Sequence, residues 1–252
     1  MNRILHNFCQ ERYSQFETDL AVNWGVDARE LARFSSLLKG IHRRQLSLAC
    51  ATTITGLRAA RNEYAREIAE TSYLSIVLCI KGLENCACVL VRQTIELALK
   101  HVYFATHPVE HAWAATRDNY KELSFQTLID YIKRTDECQT FSGVGTSNLS
   151  GPIEDTFATL SRYVHVQSKR FMTYKRIRRP PRASAQALQK FDRVTASLWP
   201  ALTVMLIVFF PERFAKAQEI EKGLITSTLP REIKASVVSH LRAWQSRGSS
   251  FP

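Results

Sequence analysis

Across residues 73–104 apolar side chains return at helical spacing: Leu74, Val77, Leu78, Leu83, Cys86, Leu90, Ile95, Leu99 and Val102. Intervals of three and four residues gather them on one stripe of a helix, and that stripe needs another apolar surface to cover it. The segment therefore commits the chain to helix-on-helix packing. Composition agrees where it bears on this point. Only 9 Gly and 8 Pro occur in 252 residues, few for a sandwich or barrel that turns every 8–12 residues. Alternating strand patterns are nearly absent. The expected fold is all-α, a helical bundle with an N-terminal helical extension.

The remaining helices follow from start and stop signals. Residues 1–24 read as an amphipathic helix with Leu5, Phe8, Phe16 and Leu20 near one side. Asp27 is placed as an N-cap, with Glu30 three residues on, for a helix ending at Leu38 and stopped by Gly40. A further helical stretch covers residues 41–70. Gly82 marks a break inside the long periodic segment, and Pro108 ends that segment or opens the next helix. Ser124 caps a helix over 125–135, with Leu128, Ile129 and Ile132 inward. Residues 143–148 read as a loop, and a helix runs from Pro152 to about His165. After Pro180-Pro181 a helix spans 184–210, with Pro200 inside it. Pro211 and Pro230 open two last helices. A soft boundary near residue 70 divides a 1–70 N-terminal helical region from a 71–252 bundle.

The six cysteines form no C-x-x-C pair and read as reduced, buried small hydrophobes. The first residues, Met1-Asn2-Arg3-Ile4-Leu5-His6, lack the long apolar core of a signal peptide. The longest predominantly apolar run, residues 198–210, falls short of the ~20 residues a membrane span needs. It reads as a buried core helix. A cytoplasmic protein without a membrane partner is expected.

The net charge of +11 is unevenly placed. No Asp or Glu occurs between Asp155 and Asp192, while that stretch holds nine Lys or Arg: Arg162, Lys169, Arg170, Lys175, Arg176, Arg178, Arg179, Arg182 and Lys190. A local excess of this kind is the footprint of a polyanion. Tyr163, Phe171 and Tyr174 lie among the charges, and rings beside guanidinium groups suit the unstacked bases of single-stranded or looped RNA. The basic segment 162–190 is therefore the candidate nucleic-acid interface, with Tyr174 as a stacking residue. A solvated helix face, or a dock for an acidic partner protein, is the plainer reading.

Three local patterns carry candidate chemistry. His107-Pro108-Val109-Glu110-His111 matches the zinc-binding H-x-x-E-H pattern, but Pro108 places His107 outside the helix that the chemistry requires. No metal and no cofactor is expected. Arg92 and Glu96, at i and i+4, form either an intrahelical ion pair or a buried pair that orients a neighbouring helix. Arg162 and His165, three apart, suit acid–base work on RNA. An imidazole takes the proton of a 2′-hydroxyl and a guanidinium holds the phosphate.

At these residues the chain resembles the HEPN-like superfamily. The resemblance rests on the helix carrying Arg92-Gln93-Thr94-Ile95-Glu96, then Tyr103-Phe104 and His107-Pro108, and on the later helix carrying Leu160-Ser161-Arg162-Tyr163-Val164-His165. It covers roughly residues 70–210. It implies a helical bundle, often a homodimer, of the kind found in bacterial defence and toxin–antitoxin systems. Active members are metal-independent endoribonucleases that use an Arg and a His with four to six residues between them. Arg162 and His165 have two residues between them. The expectation is an RNA-binding defence or toxin protein with Arg162 and His165 as its catalytic candidates. The alternative is a non-enzymatic subunit docked on a larger nucleoprotein complex, with a protein partner in that complex.

Overall fold

The computed structural model describes residues 3–56, 62–116, 122–143, 149–164 and 184–248. Twelve α-helices and no strand occur among the described residues. Four of them make the centre. These are α2 (Ala28–Thr55), α3 (Asn62–Ile80), α4 (Glu84–Thr106) and α9 (Ala185–Phe209). Helix α3 lies along α4, and α2 packs on both α3 and α9. On this centre sit α1 (Arg3–Val22), α5 (Pro108–Thr116), α6 (Phe125–Arg134), α7 (Asp136–Gly143) and α8 (Gly151–Val164). Three more close the chain: α10 (Pro211–Lys216), α11 (Glu219–Ser227) and α12 (Arg231–Gly248). Helices α6 and α8 cover α4, α1 and α11 cover α2, and α10 and α12 pack around the end of α9.

Local chemistry explains several of the ends. The Asp27 carboxylate accepts from the Arg29 backbone N–H at 2.6 Å, Ser124 Oγ accepts from Thr127 at 3.1 Å, and Ser184 Oγ accepts from Ala187 at 3.0 Å. The α3–α4 turn is a Schellman close: Leu83 N–H donates to Leu78 O and Gly82 N–H to Cys79 O. That geometry puts Gly82 at φ +76°, where a Cβ would be strained.

Helix α2 departs from the sequence expectation, since it runs through Gly40 to Thr55. A glycine inside a helix costs about 1 kcal/mol. Leu38, Ile41 and Leu48 on either side are fully buried, and each contributes about 1.5–3 kcal/mol. Burial outweighs the local preference to stop. The stretch expected as one helix over 41–70 is instead divided between α2 and α3. Residue 70 falls within α3, whose Ile68 and Ile76 are both fully buried in the core. Helices α7 and α11 are additional to the expected set.

Helix α9 is the one described helix long and apolar enough to cross a membrane, and 72% of its most apolar stretch is buried inside the protein. Trp199, Leu202 and Met205 are fully enclosed. The cysteines only partly follow expectation. All six are free and Cys79 and Cys138 are buried, but Cys9, Cys50 and Cys88 are half-buried and Cys86 is exposed, on the outward side of the first turn of α4.

Helix α1 is fastened to α2 by aromatic packing. Phe16 stacks on the His42 ring at 4.4 Å, and Tyr13 meets the same ring edge-on at 5.8 Å. Burial pushes the His42 imidazole down to about 4. Lys39, Arg43, His6, Cys9 and Tyr13 are titratable groups that line the same hollow as His42. Since folding lowers this pKa, the unfolded chain binds the extra proton first. The neutral ring's stabilisation is complete above about pH 6.5 and is lost as pH falls towards 4, by up to about 3 kcal/mol. Urea unfolding across pH 7 to 4 should show that loss. The chain carrying His42→Phe should lose correspondingly less.

Candidate nucleic-acid interface

Helix α8 faces the core with Ile153, Thr156 and Leu160, all buried. Pro152 and Glu154 in its first turn suit a helix start. Two residues past Leu160, about 200° around the helix, Arg162 is exposed in the last turn. This side chain is the described edge of the basic segment.

Tyr163 and Lys190 fix how that segment is bracketed. The Lys190 ammonium lies over the Tyr163 ring, 4.4 Å from its centroid. Leu160, Ala187 and Phe191 pack around the same place. The last turn of α8 and the first turns of α9 are thus held together. Asp192, the first carboxylate after the basic stretch, is bridged by Arg44 of α2, which anchors α9 on its other side.

A cleft of about 760 Å³ runs beside α8, between α4 and the start of α6. Its floor is a stack. The Arg92 guanidinium lies 4.7 Å from the centroid of Phe157, and Phe157 stacks on Phe125 with centroids 3.6 Å apart and planes within 4°. Arg92 also bridges Glu96 at 3.2 Å. The intrahelical ion pair is therefore formed, it is half-buried rather than buried, and its Arg92 end touches α8. Lys100 pairs with Glu122, whose carboxyl is held below the usual range by that ammonium. Lys133 of α6 reaches Glu154 of α8 at 2.6 Å. Each cation here has its own carboxylate, so the cleft presents no excess charge to a phosphate. Its chemistry is positional: it seats α8 on α4 and α6. Ser161, which donates to the Phe157 carbonyl at 2.8 Å, lies on its wall next to Arg162.

The H-x-x-E-H pattern does not assemble a ligand set. His107 is the C-cap of α4 and lies outside α5. Its ring is stacked flat on Tyr103 at 4.2 Å, with Nδ1 2.9 Å from the Tyr103 carbonyl. Tyr103 donates to Glu110 at 2.7 Å, and His111 packs on Phe104 at 5.2 Å. No group of three or more His, Cys, Asp or Glu suited to a metal ion occurs among the described residues.

Of the candidate site residues, Arg92, Glu96, Arg162 and Lys190 are described; Arg92 and Glu96 line the cleft beside α8, and Lys190 lies on Tyr163. His165, Lys169, Arg170, Tyr174, Lys175, Arg176, Arg178, Arg179 and Arg182 lie outside the described residues. Sequence reasoning did not find the Phe125–Phe157 stack, the Lys100–Glu122 pair or the seat of Lys190 on Tyr163. These partners are 22 to 32 residues apart in sequence, beyond the reach of any helical period. No family model, curated protein or solved structure matches the chain.

Proposed function

We propose that this protein binds single-stranded nucleic acid, RNA foremost, through the basic segment 162–190, as part of a bacterial defence or toxin system. The observation that carries the reading is the run from Asp155 to Asp192, with nine cations and no carboxylate between its ends. Polyphosphate supplies the missing negative charge and releases its counterions. Phe171 and Tyr174 supply ring faces for bases. The ion-paired cleft beside α8 supports the reading by leaving the positive excess to this segment.

The same site defines a cleavage chemistry. His165 accepts the proton of a ribose 2′-hydroxyl, and the 2′-oxygen attacks the adjacent phosphorus. The bond from phosphorus to the 5′-oxygen breaks, the leaving oxygen takes a proton back from the protonated His165 or from water, and a cyclic 2′,3′-phosphate and a 5′-hydroxyl result, while Arg162 holds the phosphate oxygens. In a homodimer, two such sites come from two copies. The two-residue gap between Arg162 and His165 favours the second reading, binding without cleavage as a subunit of a nucleoprotein complex.

Binding of a labelled single-stranded RNA across a salt series tests the proposal. Affinity should fall linearly on a log–log plot, with a slope of about −0.7 per phosphate contacted. A slope near zero overturns it. In the cleaving form, His165→Ala abolishes product while affinity stays within about twofold. Intact RNA with the wild-type chain leaves the binding subunit.

A further inference from the structure

Between α1 and α2 lies a second polar feature, remote in sequence from the basic segment. Positions 6, 9, 10 and 13 of α1 face positions 39, 42, 43 and 46 of α2. Each set follows the i, i+3, i+4, i+7 pattern of a helix–helix seam, where apolar side chains normally interlock. Deeper in this seam they do so, with Phe16, Leu20, Leu31 and Leu38 all buried. At this end the seam opens instead into a hollow of about 230 Å³ lined by nitrogen-bearing side chains.

His6, Lys39 and Arg43 line the hollow, with His42, Tyr13 and Cys9 among its other walls. No Asp or Glu is among the described residues that line it. Glu17 acts on the Tyr13 phenol from the next turn of α1 and stays outside the lining. Lys39 lies over the Tyr13 ring, 5.3 Å from its centroid, which fixes the ammonium at the mouth. Arg43 and Cys9 line the same hollow from α2 and α1. The neighbour of Arg43, Arg44, points the other way, to Asp192. The two adjacent arginines thus serve opposite sides of α2, one towards α9 and one towards the hollow.

We propose that this hollow binds a small phosphate-type anion, inorganic phosphate or a phosphomonoester, held by Lys39, Arg43 and His6. A tetrahedral oxyanion takes a two-pronged contact from the guanidinium and a point contact from the ammonium. The volume falls below the ~300–1,000 Å³ of pockets that enclose larger organic ligands, which favours a phosphate with little attached to it. Bound there, the anion bridges α1 to α2 and stabilises the docking of the N-terminal helix.

The full chain, in phosphate-free buffer, is titrated with inorganic phosphate and separately with methyl phosphate. Sodium chloride at matched ionic strength is the reference. Thermal unfolding and ³¹P line broadening are read. Near saturation the wild-type chain gains about 3 °C or more over the chloride reference. Lys39→Gln and Arg43→Gln each weaken binding about tenfold or more, with each variant's gain read against its own melting in chloride. A chain carrying Glu at positions 175, 176, 178 and 179 keeps the response. Tighter binding of methyl phosphate assigns a monoester, tighter binding of phosphate the free ion, and both support the site. No gain over chloride overturns the proposal. So does a gain lost with the four-residue reversal but kept in both single variants, which would place the anion on the basic segment.

Discussion

A chain carrying Lys175→Glu, Arg176→Glu, Arg178→Glu and Arg179→Glu should bind single-stranded RNA about 100-fold more weakly than the wild type at ~0.15 M salt. Each phosphate contact on a single strand adds about 0.7 to the salt exponent, and four lost contacts remove roughly two log units of affinity at that salt. Repulsion from the four new carboxylates adds to the loss. The salt slope should also flatten by about 3. Fluorescence anisotropy with one labelled oligonucleotide reads both quantities. Unchanged melting would place the effect at the surface rather than in the fold. An affinity within about threefold of wild type removes the segment as the interface. Loss of a co-purifying protein complex together with unchanged RNA affinity would move the segment's role to protein docking.

The largest effect on stability should come from Trp199→Ala. Trp199 is fully enclosed in α9, with the edge of Phe191 against its ring at 5.9 Å. Removing an indole from such a place costs about 3–5 kcal/mol in lost transfer energy and residual cavity. That is a large share of the 5–15 kcal/mol that holds a typical domain, and corresponds to roughly 10 °C in Tm. Trp199→Phe separates packing from polarity. The buried Nε1–H of Trp199 has no hydrogen-bond partner among the described residues, so phenylalanine also removes an unsatisfied donor. Its net cost should stay below about 2 kcal/mol. A Phe variant as unstable as the Ala variant would show that α9 needs the whole indole volume.

Several features of the candidate site could be read in the chain before any packing was known. The gap in acidic residues from 156 to 191 is visible because it is a property of order alone. The i, i+4 relation of Arg92 and Glu96 follows from the helical period, and the observed 3.2 Å contact is what that spacing allows. The contact of Arg92 with Phe157 could not be read. It joins helices 65 residues apart and depends on how α8 settles on α4. The same holds for the basic hollow between α1 and α2. Each helix carries an ordinary mixture of polar residues, and only their antiparallel pairing sets His6 and Cys9 against Lys39 and Arg43.

What the sequence determined by itself is the helical class and the starts of α2, α6 and α9. Asp27, Ser124 and Ser184 satisfy backbone donors within one turn, and Gly82 relieves a left-handed backbone at its own position. Such effects need no partner from elsewhere in the chain. Only the tertiary structure decided that Gly40 continues a helix and that Cys86 is exposed. It also decided that Tyr163 supports Lys190. At Gly40 a local preference of about 1 kcal/mol competes with burial against surfaces supplied by distant segments, and burial contributes more; the exposure of Cys86 and the Tyr163–Lys190 contact depend on where separate helices lie.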